Sequence, residues 1–464
     1  MSSGGRVQLA ATGAQDIFLT ANPQMSYFLK QYKRHSRFAM QTMEIPFQQE
    51  VDFGKRVKAI VPRIGNLVRE IYLKFELPEL NQGLITAYDP IVDSNVVVNT
   101  YPTFCDSIGH AIIKRADMKI GGQTIETIDG DYLEMYEELF TPESQSRAIE
   151  ELVGRTYSRT GLGPASNVAF RTTNGFSAVG SFPRTFIVPL RFYQTQDPNL
   201  AIPLVSLTRQ ELEIDITLEE IERLVVNTQT QSCGENIVGN LKTNAQFGGT
   251  PIKLTNATLL IDYVFLGEDE IQHFQKSSLD YLITQVQGIE TCVSKDSDFS
   301  TFPKQIRTHF NNPVKEFFMI VQSNEYRPIN AQDVDTTVTD YFRYKSSNLS
   351  KPDNLKSLEL LFNGQPRLLS SVADAFYLRA VQPLQAHTRV PKRFFYIYSY
   401  SIDPENYQPT GQVNYSRISN IIYNLYLNDS NNSDRNVRIY VKNYNVLRVQ
   451  SGVAGLLFNF NNSA

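Results

Sequence analysis

The dominant period along this chain is two. In ELEIDITL (211–218), Leu212, Ile214, Ile216 and Leu218 fall on one side, and Glu211, Glu213, Asp215 and Thr217 fall on the other. Successive side chains of an extended chain point to opposite faces, so this alternation predicts a half-buried strand. IYLKFEL (71–77) repeats the pattern with Ile71, Leu73, Phe75 and Leu77. LLIDYVFL (259–266), EFFMIVQ (316–322), RFFYIYSYSI (393–402), IIYNLYL (421–427) and VRIYVKNYNVL (437–447) are rich in β-branched and aromatic residues, which suit a pleated surface. Helical signals are few. DGDYLEMYEELF (129–140) places Tyr132, Leu133, Tyr136, Leu139 and Phe140 at helical spacing, with Asp131 as the expected N-cap. EDEIQHFQKS (268–277) is polar and lies near mid-chain, where a linker is expected. SRTGLGPASN (158–167) and NDSNNSD (428–434) read as polar loops.

A weak internal repeat accompanies the strands. MKIGGQTIE (118–126) and LLFNGQPRL (360–368) share an apolar alternation, a small turn residue, then Gly-Gln. DPNLAIPLVSL (197–207) and QPTGQVNYSRI (408–418) share a Pro and the apolar positions after it, and an alternating strand follows each. The two markers recur in the same order in both halves, which predicts two copies of one β fold. Regular strands, two copies and scarce helices together predict two antiparallel β-sandwiches.

Composition narrows the partners. The 464 residues suit two domains, and 20% charged with 41% apolar residues describe a folded chain. Net charge is −4, split between about +4 in the first forty residues and about −8 beyond them. A protein that coats nucleic acid is usually basic throughout. The local exception is FLKQYKRHSRFAM (28–40), where Lys30, Lys33, Arg34, His35 and Arg37 sit among Phe28, Tyr32 and Phe38. Such a stretch has the cations and rings of a nucleic-acid patch. Equally, its arginines suit bidentate pairing with carboxylates of another protein. The three cysteines, Cys105, Cys233 and Cys292, are widely spaced, which disfavours a disulfide framework or a zinc site. Neither a signal-peptide pattern nor an apolar run long enough to span a bilayer is visible.

Catalytic motifs are weak. GFSAVG (175–180) is one residue off the nucleophile-elbow spacing, and GLGPAS (161–166) lacks the third glycine of a dinucleotide loop. The five histidines, His35, His110, His273, His309 and His387, are scattered. Asp129, Asp131, Glu134, Glu137 and Glu138 pose the question of a cation site, but read more simply as a solvated helix face. DSDFST (296–301) lacks the glycine of a calcium loop. No enzyme activity, metal or cofactor is therefore expected. Of six N-x-[ST] sequons, those at Asn348 and Asn428 lie in polar loops and are the glycosylation candidates. A sugar-binding β-sandwich, lectin or enzyme, is the alternative; it needs a cleft with paired carboxylates, which no motif here supplies.

The opening GAQDIFLTANPQMSYFLKQYKRHSRFA (13–39) resembles the N-terminal signature of major capsid proteins of nucleocytoplasmic large DNA viruses. IGGQTIE, VPLRFYQTQDPNLAIPLVSL (188–207), IDYVFL (261–266), FNGQPR (362–367), YSYSIDPENYQPTGQVNYSRI (398–418) and KNYNVLRVQSGVAGLLF (442–458) follow in the family's order. The likeness runs from about residue 8 to 458 and departs from the usual residue at Ala21, Lys33 and Ala454. It implies an all-β double jelly roll: two consecutive eight-stranded antiparallel jelly rolls, with short helices in loops. The polar linker then divides the chain into an arm (1–24), a first roll (25–267), a linker (268–279) and a second roll (280–464). It further implies a homotrimeric, pseudo-hexagonal capsomer in the icosahedral outer shell of a virion assembled in the host cytoplasm. Neighbouring capsomers, minor capsid and penton proteins would be its partners, with no direct nucleic-acid contact and only indirect contact with an inner membrane. A minor capsid paralogue is the nearest alternative. Lys30, Lys33, Arg34 and Arg37 would then lie at the inner rim as assembly contacts.

Overall fold

A computed structural model describes residues 3–29, 32–77, 83–89, 94–100, 102–155, 184–227, 253–294, 302–324, 341–346, 352–428 and 434–458. It divides into two units, Met1–Phe38 and Ala39–Ala464. In the first unit, helices α1 (Gly4–Ala10) and α2 (Ile17–Thr20) bury no residue. Few large apolar groups lie in α1, so these turns rest on local hydrogen bonds, such as Gly13 N–H donating to Asp16 at 2.8 Å.

The second unit holds two sandwiches of the same topology. In the first, the strands are β1 (Phe38–Pro46), β2 (Arg56–Val61), β3 (Leu67–Leu77), β4 (Gly83–Asp89), β5 (Ser94–Thr100), β6 (Pro102–Phe104), β7 (Ile113–Ile120), β8 (Gln123–Ile128), β9 (Arg184–Pro189), β10 (Leu212–Leu218), β11 (Val225–Asn227) and β12 (Thr255–Leu266). One four-stranded sheet runs β1-β12-β3-β9 and the other β2-β10-β7-β8, while β4-β5 and β6-β11 form small accessory ribbons. The second sandwich uses β13 (Leu279–Val293), β14 (Lys304–Thr308), β15 (Pro313–Ser323), β16 (Leu355–Phe362), β17 (Gln365–Leu368), β18 (Tyr396–Ser399), β19 (Val413–Asn414), β20 (Ile421–Leu427), β21 (Arg435–Gln450) and β22 (Val453–Leu456). Its sheets run β13-β21-β15-β18 and β14-β20-β16-β17. Counted along the chain, each set of eight main strands is ordered 1-8-3-6 and 2-7-4-5. That is the jelly roll, twice.

The sequence repeat marks equivalent places in the two rolls. MKIGGQTIE is the β7–β8 hairpin and LLFNGQPRL is the β16–β17 hairpin, strands four and five of each roll. Both turns need two consecutive residues with positive φ: Gly121 (58°) and Gly122 (83°), then Asn363 (50°) and Gly364 (82°). Such turns match the twist of the flanking strands, and glycine and asparagine enter them at least cost. The second marker lies against strand three in both rolls: Ile202 bridges Val68 on β3, and Val413 pairs with Val314 on β15.

β10 behaves as its alternation predicts. Leu212, Ile214, Ile216 and Leu218 are buried in the first core. Its other face carries a cross-strand charge ladder, with Asp215 held by Arg56 (2.6 Å) and Lys119 (2.7 Å) and Glu213 by Lys58 (2.9 Å). β15 does not alternate because both of its faces are buried. Phe317, Met319 and Val321 enter the second core, while Phe318 and Ile320 join the core of the first roll. The first core therefore extends onto the outer face of the second roll's sheet.

One helical expectation is met and one detail of it is corrected. The helix Glu268–Lys276 lies between β12 and β13 and buries no residue. Helix α4 (Gly130–Phe140) forms as expected, after the short α3 (Ile108–Ala111) and before α5 (Glu143–Val153). Its N-cap is Asp129 rather than Asp131: Asp129 Oδ1 accepts the Tyr132 N–H at 2.8 Å. Asp131, two residues on, already lies inside the first turn, and its side chain bonds Arg438 of the second roll.

Candidate functional site

The most constructed site in the molecule is the seam between the two rolls, and α4 is its wedge. Asp131, Glu134, Glu137 and Glu138 are all buried. The expectation of a solvated acidic helix face is therefore wrong for this helix. Burying a carboxylate is costly unless cations and hydrogen bonds surround it, and here they do. Arg438 of β21 and the Tyr344 hydroxyl, at 2.7 Å, donate to Asp131. Glu134 receives His110 Nδ1 at 2.7 Å, Arg155 Nη2 at 2.7 Å and Arg393 Nε at 2.5 Å. Glu138 takes Arg155 Nη1 at 2.9 Å and the Lys392 backbone N–H at 2.7 Å. Glu137 takes Arg191 Nε at 2.7 Å and the Thr141 hydroxyl.

Arg393 is the centre of this arrangement. Beyond Glu134, its guanidinium donates to Asp106 (2.9 Å), Ser107 (3.2 Å) and the Phe342 carbonyl (2.9 Å), and it stands over the Phe342 ring. A planar fork of five donors can satisfy several acceptors at once, which a lysine cannot. At the far end of α4, Phe140 packs edge-on against His387 and lies 4.1 Å below Lys442 Nζ. His387 bonds Glu316 (3.0 Å) and Glu405 (3.2 Å). Lys315 donates to the Pro404 carbonyl at 2.8 Å.

Electrostatics follow from burial set against these partners. Burial alone would raise the Glu134 carboxyl, but Arg155, Arg393 and His110 outweigh it and hold the group well below its ordinary value. Burial opposes ionisation of Glu137 too, and Arg191 with Thr141 again wins. Glu126 is the reverse case. Burial pushes it up to about 8, with the Tyr193 N–H and Lys442 only partly opposing. Asp129 is raised by burial and by the adjacent Asp131. Burial pulls Lys315 down to about 7, and the nearby Lys442 adds to the shift. His387 resists the downward pull of burial because Glu316 and Glu405 favour its cation, so its value rises.

Beside α4, the seam opens into a polar cleft of about 1290 Å³, lined among others by Glu126, Asp129, Gln285, Asn436, Arg438 and Tyr440. Among the described residues, no three His, Cys, Asp or Glu side chains are grouped for a metal ion. What this chemistry does is fix orientation: charged groups from segments some 260 residues apart meet in one register, so the rolls are locked as one body.

The family comparisons agree with this frame. Residues 26–267 match the family described as the major capsid protein N-terminus, and residues 270–455 match the large eukaryotic DNA virus major capsid protein. The chain belongs to this major capsid protein family. The major capsid protein of Pyramimonas orientalis virus is 30% identical over 482 residues, covering 98% of this chain and 99% of the relative. That of Phaeocystis pouchetii virus is 28% identical over 545 residues, covering 98% and 100%. In fold, the chain is similar to the PBCV-1 virus capsid protein, with a TM-score of 0.69 at 23% identity, covering 94% of this chain and all of the other. As a family member, this capsid protein is a component of the virion shell.

Lys33, Arg34 and Arg37 are exposed in the N-terminal unit, and none forms an ion pair among the described residues. Lys30 and Asn348 lie outside the described residues, as do the stretches 161–166, 175–180 and 296–301. Asn428 is half-buried, and its side-chain amide donates to the carbonyls of Asp353 (2.9 Å) and Leu355 (3.2 Å). Sequence reasoning missed Arg155, Arg191, Arg393 and Arg438. One signal was available. The 129–140 segment carries five acids and no base, so if buried it must draw cations from elsewhere in the chain.

Proposed function

We propose that this capsid protein is a purely structural, self-assembling subunit with no catalytic role. Three copies form a pseudo-hexagonal capsomer, and capsomers tile the icosahedral outer shell of a large DNA virus assembled in the host cytoplasm. One observation carries the reading: two rolls with the same strand order are joined in one chain through a buried ion network. Three such rigid pairs present six similar rolls around a three-fold axis. Under this reading residues 1–24 act as an arm, 25–267 and 280–464 as the rolls, and 268–279 as the linker. Lys30, Lys33, Arg34 and Arg37 pair with carboxylates of a neighbouring chain or of minor capsid and penton proteins. The net charge of about −8 beyond residue 40 supports protein partners over nucleic acid, and leaves any membrane contact indirect. Asn348 and Asn428 are the sequon candidates for a glycan. Sedimentation of native purified protein tests the core of this reading. A trimer is expected, and a stable monomer at micromolar concentration refutes it.

A further inference from the structure

The two rolls do not use their equivalent surfaces alike. Helix α4 follows strand five of the first roll, starts at Asp129, and packs against the outer face of the second roll's β13-β21-β15-β18 sheet. There it meets Arg438, Tyr440 and Lys442 of β21. The second roll has the same device. After its own strand five, β17, the helical stretch Tyr377–Ala386 starts at Asp374, whose Oδ1 accepts the Tyr377 N–H at 2.7 Å. The Asp129–Tyr132 cap and the Asp374–Tyr377 cap are the same feature in the two rolls. Their alignment puts Phe376 where Asp131 stands.

Asp131 is buried against the neighbouring roll, whereas Phe376 is 61% exposed, together with Leu369, Val372 and Leu384. The receiving faces differ in the same way. The outer residues of β15 and β21 are buried, while those of the first roll's equivalent sheet are half-exposed or exposed. They are Met40 and Glu44 on β1, Tyr72 and Lys74 on β3, and Leu260 and Asp262 on β12. Each uncovered surface is thus the counterpart of one that is covered inside the chain.

We propose that the contact between the rolls is repeated between chains: segment 369–390 docks onto the outer face of the β1-β12-β3-β9 sheet in a second copy of this protein. The internal repeat supplies both the occupant and the orientation. A contact between two different surfaces, repeated head to tail, closes a ring when the rotation allows it. Apolar side chains at the centre of such a contact are where truncation or charge is felt most.

This inference rests on the trimer reading, and the test separates them. Native full-length protein and the double variant Phe376→Asp/Leu384→Asp are compared by sedimentation velocity across a dilution series. The expected result is a trimer for the unmodified chain and at least tenfold weaker association for the variant. A monomeric unmodified chain sinks the trimer reading and this one with it. A trimeric variant that dissociates like the unmodified chain overturns the docking surface alone. Hydrogen exchange of the unmodified protein, trimer against diluted monomer, decides the matter even if the variant fails to fold. Protection must appear in 369–390 and in β3 and β12 together, and protection confined elsewhere overturns the proposal.

Discussion

Replacing Arg393 with methionine tests the seam most directly. The side chain is 1% exposed and donates to Glu134, Asp106, Ser107 and the Phe342 carbonyl. Methionine fills much of the volume but offers no donor. Glu134 would keep Arg155 and His110, while the Phe342 carbonyl and Asp106 would each lose the bond that Arg393 donates. Breaking a buried pair from one side costs about 3–5 kcal/mol, mainly because charge and polar atoms stay buried without compensation. Arg448 provides the control. It makes two 2.8 Å bonds to Asp280, as good a geometry as any in the seam, but both side chains are about half exposed. Water screens and replaces that pair, so Arg448→Met should leave the unfolding midpoint nearly where it was. The assay is urea unfolding of each variant followed by circular dichroism, with the slope compared as well as the midpoint. Arg393→Lys should fall between the two, since it keeps the charge and loses the fork. Equal midpoints for the Arg393→Met and Arg448→Met variants would show that burial does not govern these pairs, and the reasoning would fail.

Glu126 should make stability fall with rising pH. Its folded value of about 8 lies above the ordinary 4.5, so the folded state alone holds the proton between those limits. Glu126→Gln should match the unmodified protein near pH 5 and exceed it by pH 9, with a difference growing at no more than about 1.4 kcal/mol per pH unit. A pH-independent difference in urea midpoint counts against a protonated Glu126. Glu134 has the opposite sign: its depressed value stabilises above the ordinary carboxylate range and is lost as pH falls, so Glu134→Gln should flatten the acid limb of a stability profile. Gly130→Ala should destabilise by roughly 1–3 kcal/mol or more, because its Cβ would press on the His110 carbonyl oxygen and stand 2.9 Å from that of Ile113. An unchanged melting temperature would mean that α4 can shift. Deleting residues 2–24 should leave both rolls and the trimer intact while weakening shell formation in electron micrographs; loss of the folded trimer would refute the arm assignment.

Alternation by itself determined the strands. A period of two has one structural meaning, and β10 shows every apolar position of 212–218 buried as read. The repeated Gly-Gln turn determined the duplication, because two successive positive-φ residues suit few side chains and so leave a mark in sequence. Ordered motifs along the chain determined the family. Only the tertiary structure decided which polar residues are buried. Glu134 and Glu138 have the spacing of a solvated helix face, and nothing local distinguishes that from a face turned toward Arg393 or the Lys392 backbone, more than 250 residues away. β15 and β21 likewise read as strands, but whether one face or both were covered depended on the second roll meeting the first. Local pattern reports how a side chain leaves the backbone. What it meets depends on long-range packing, where a carboxylate's solvation is exchanged for a distant guanidinium.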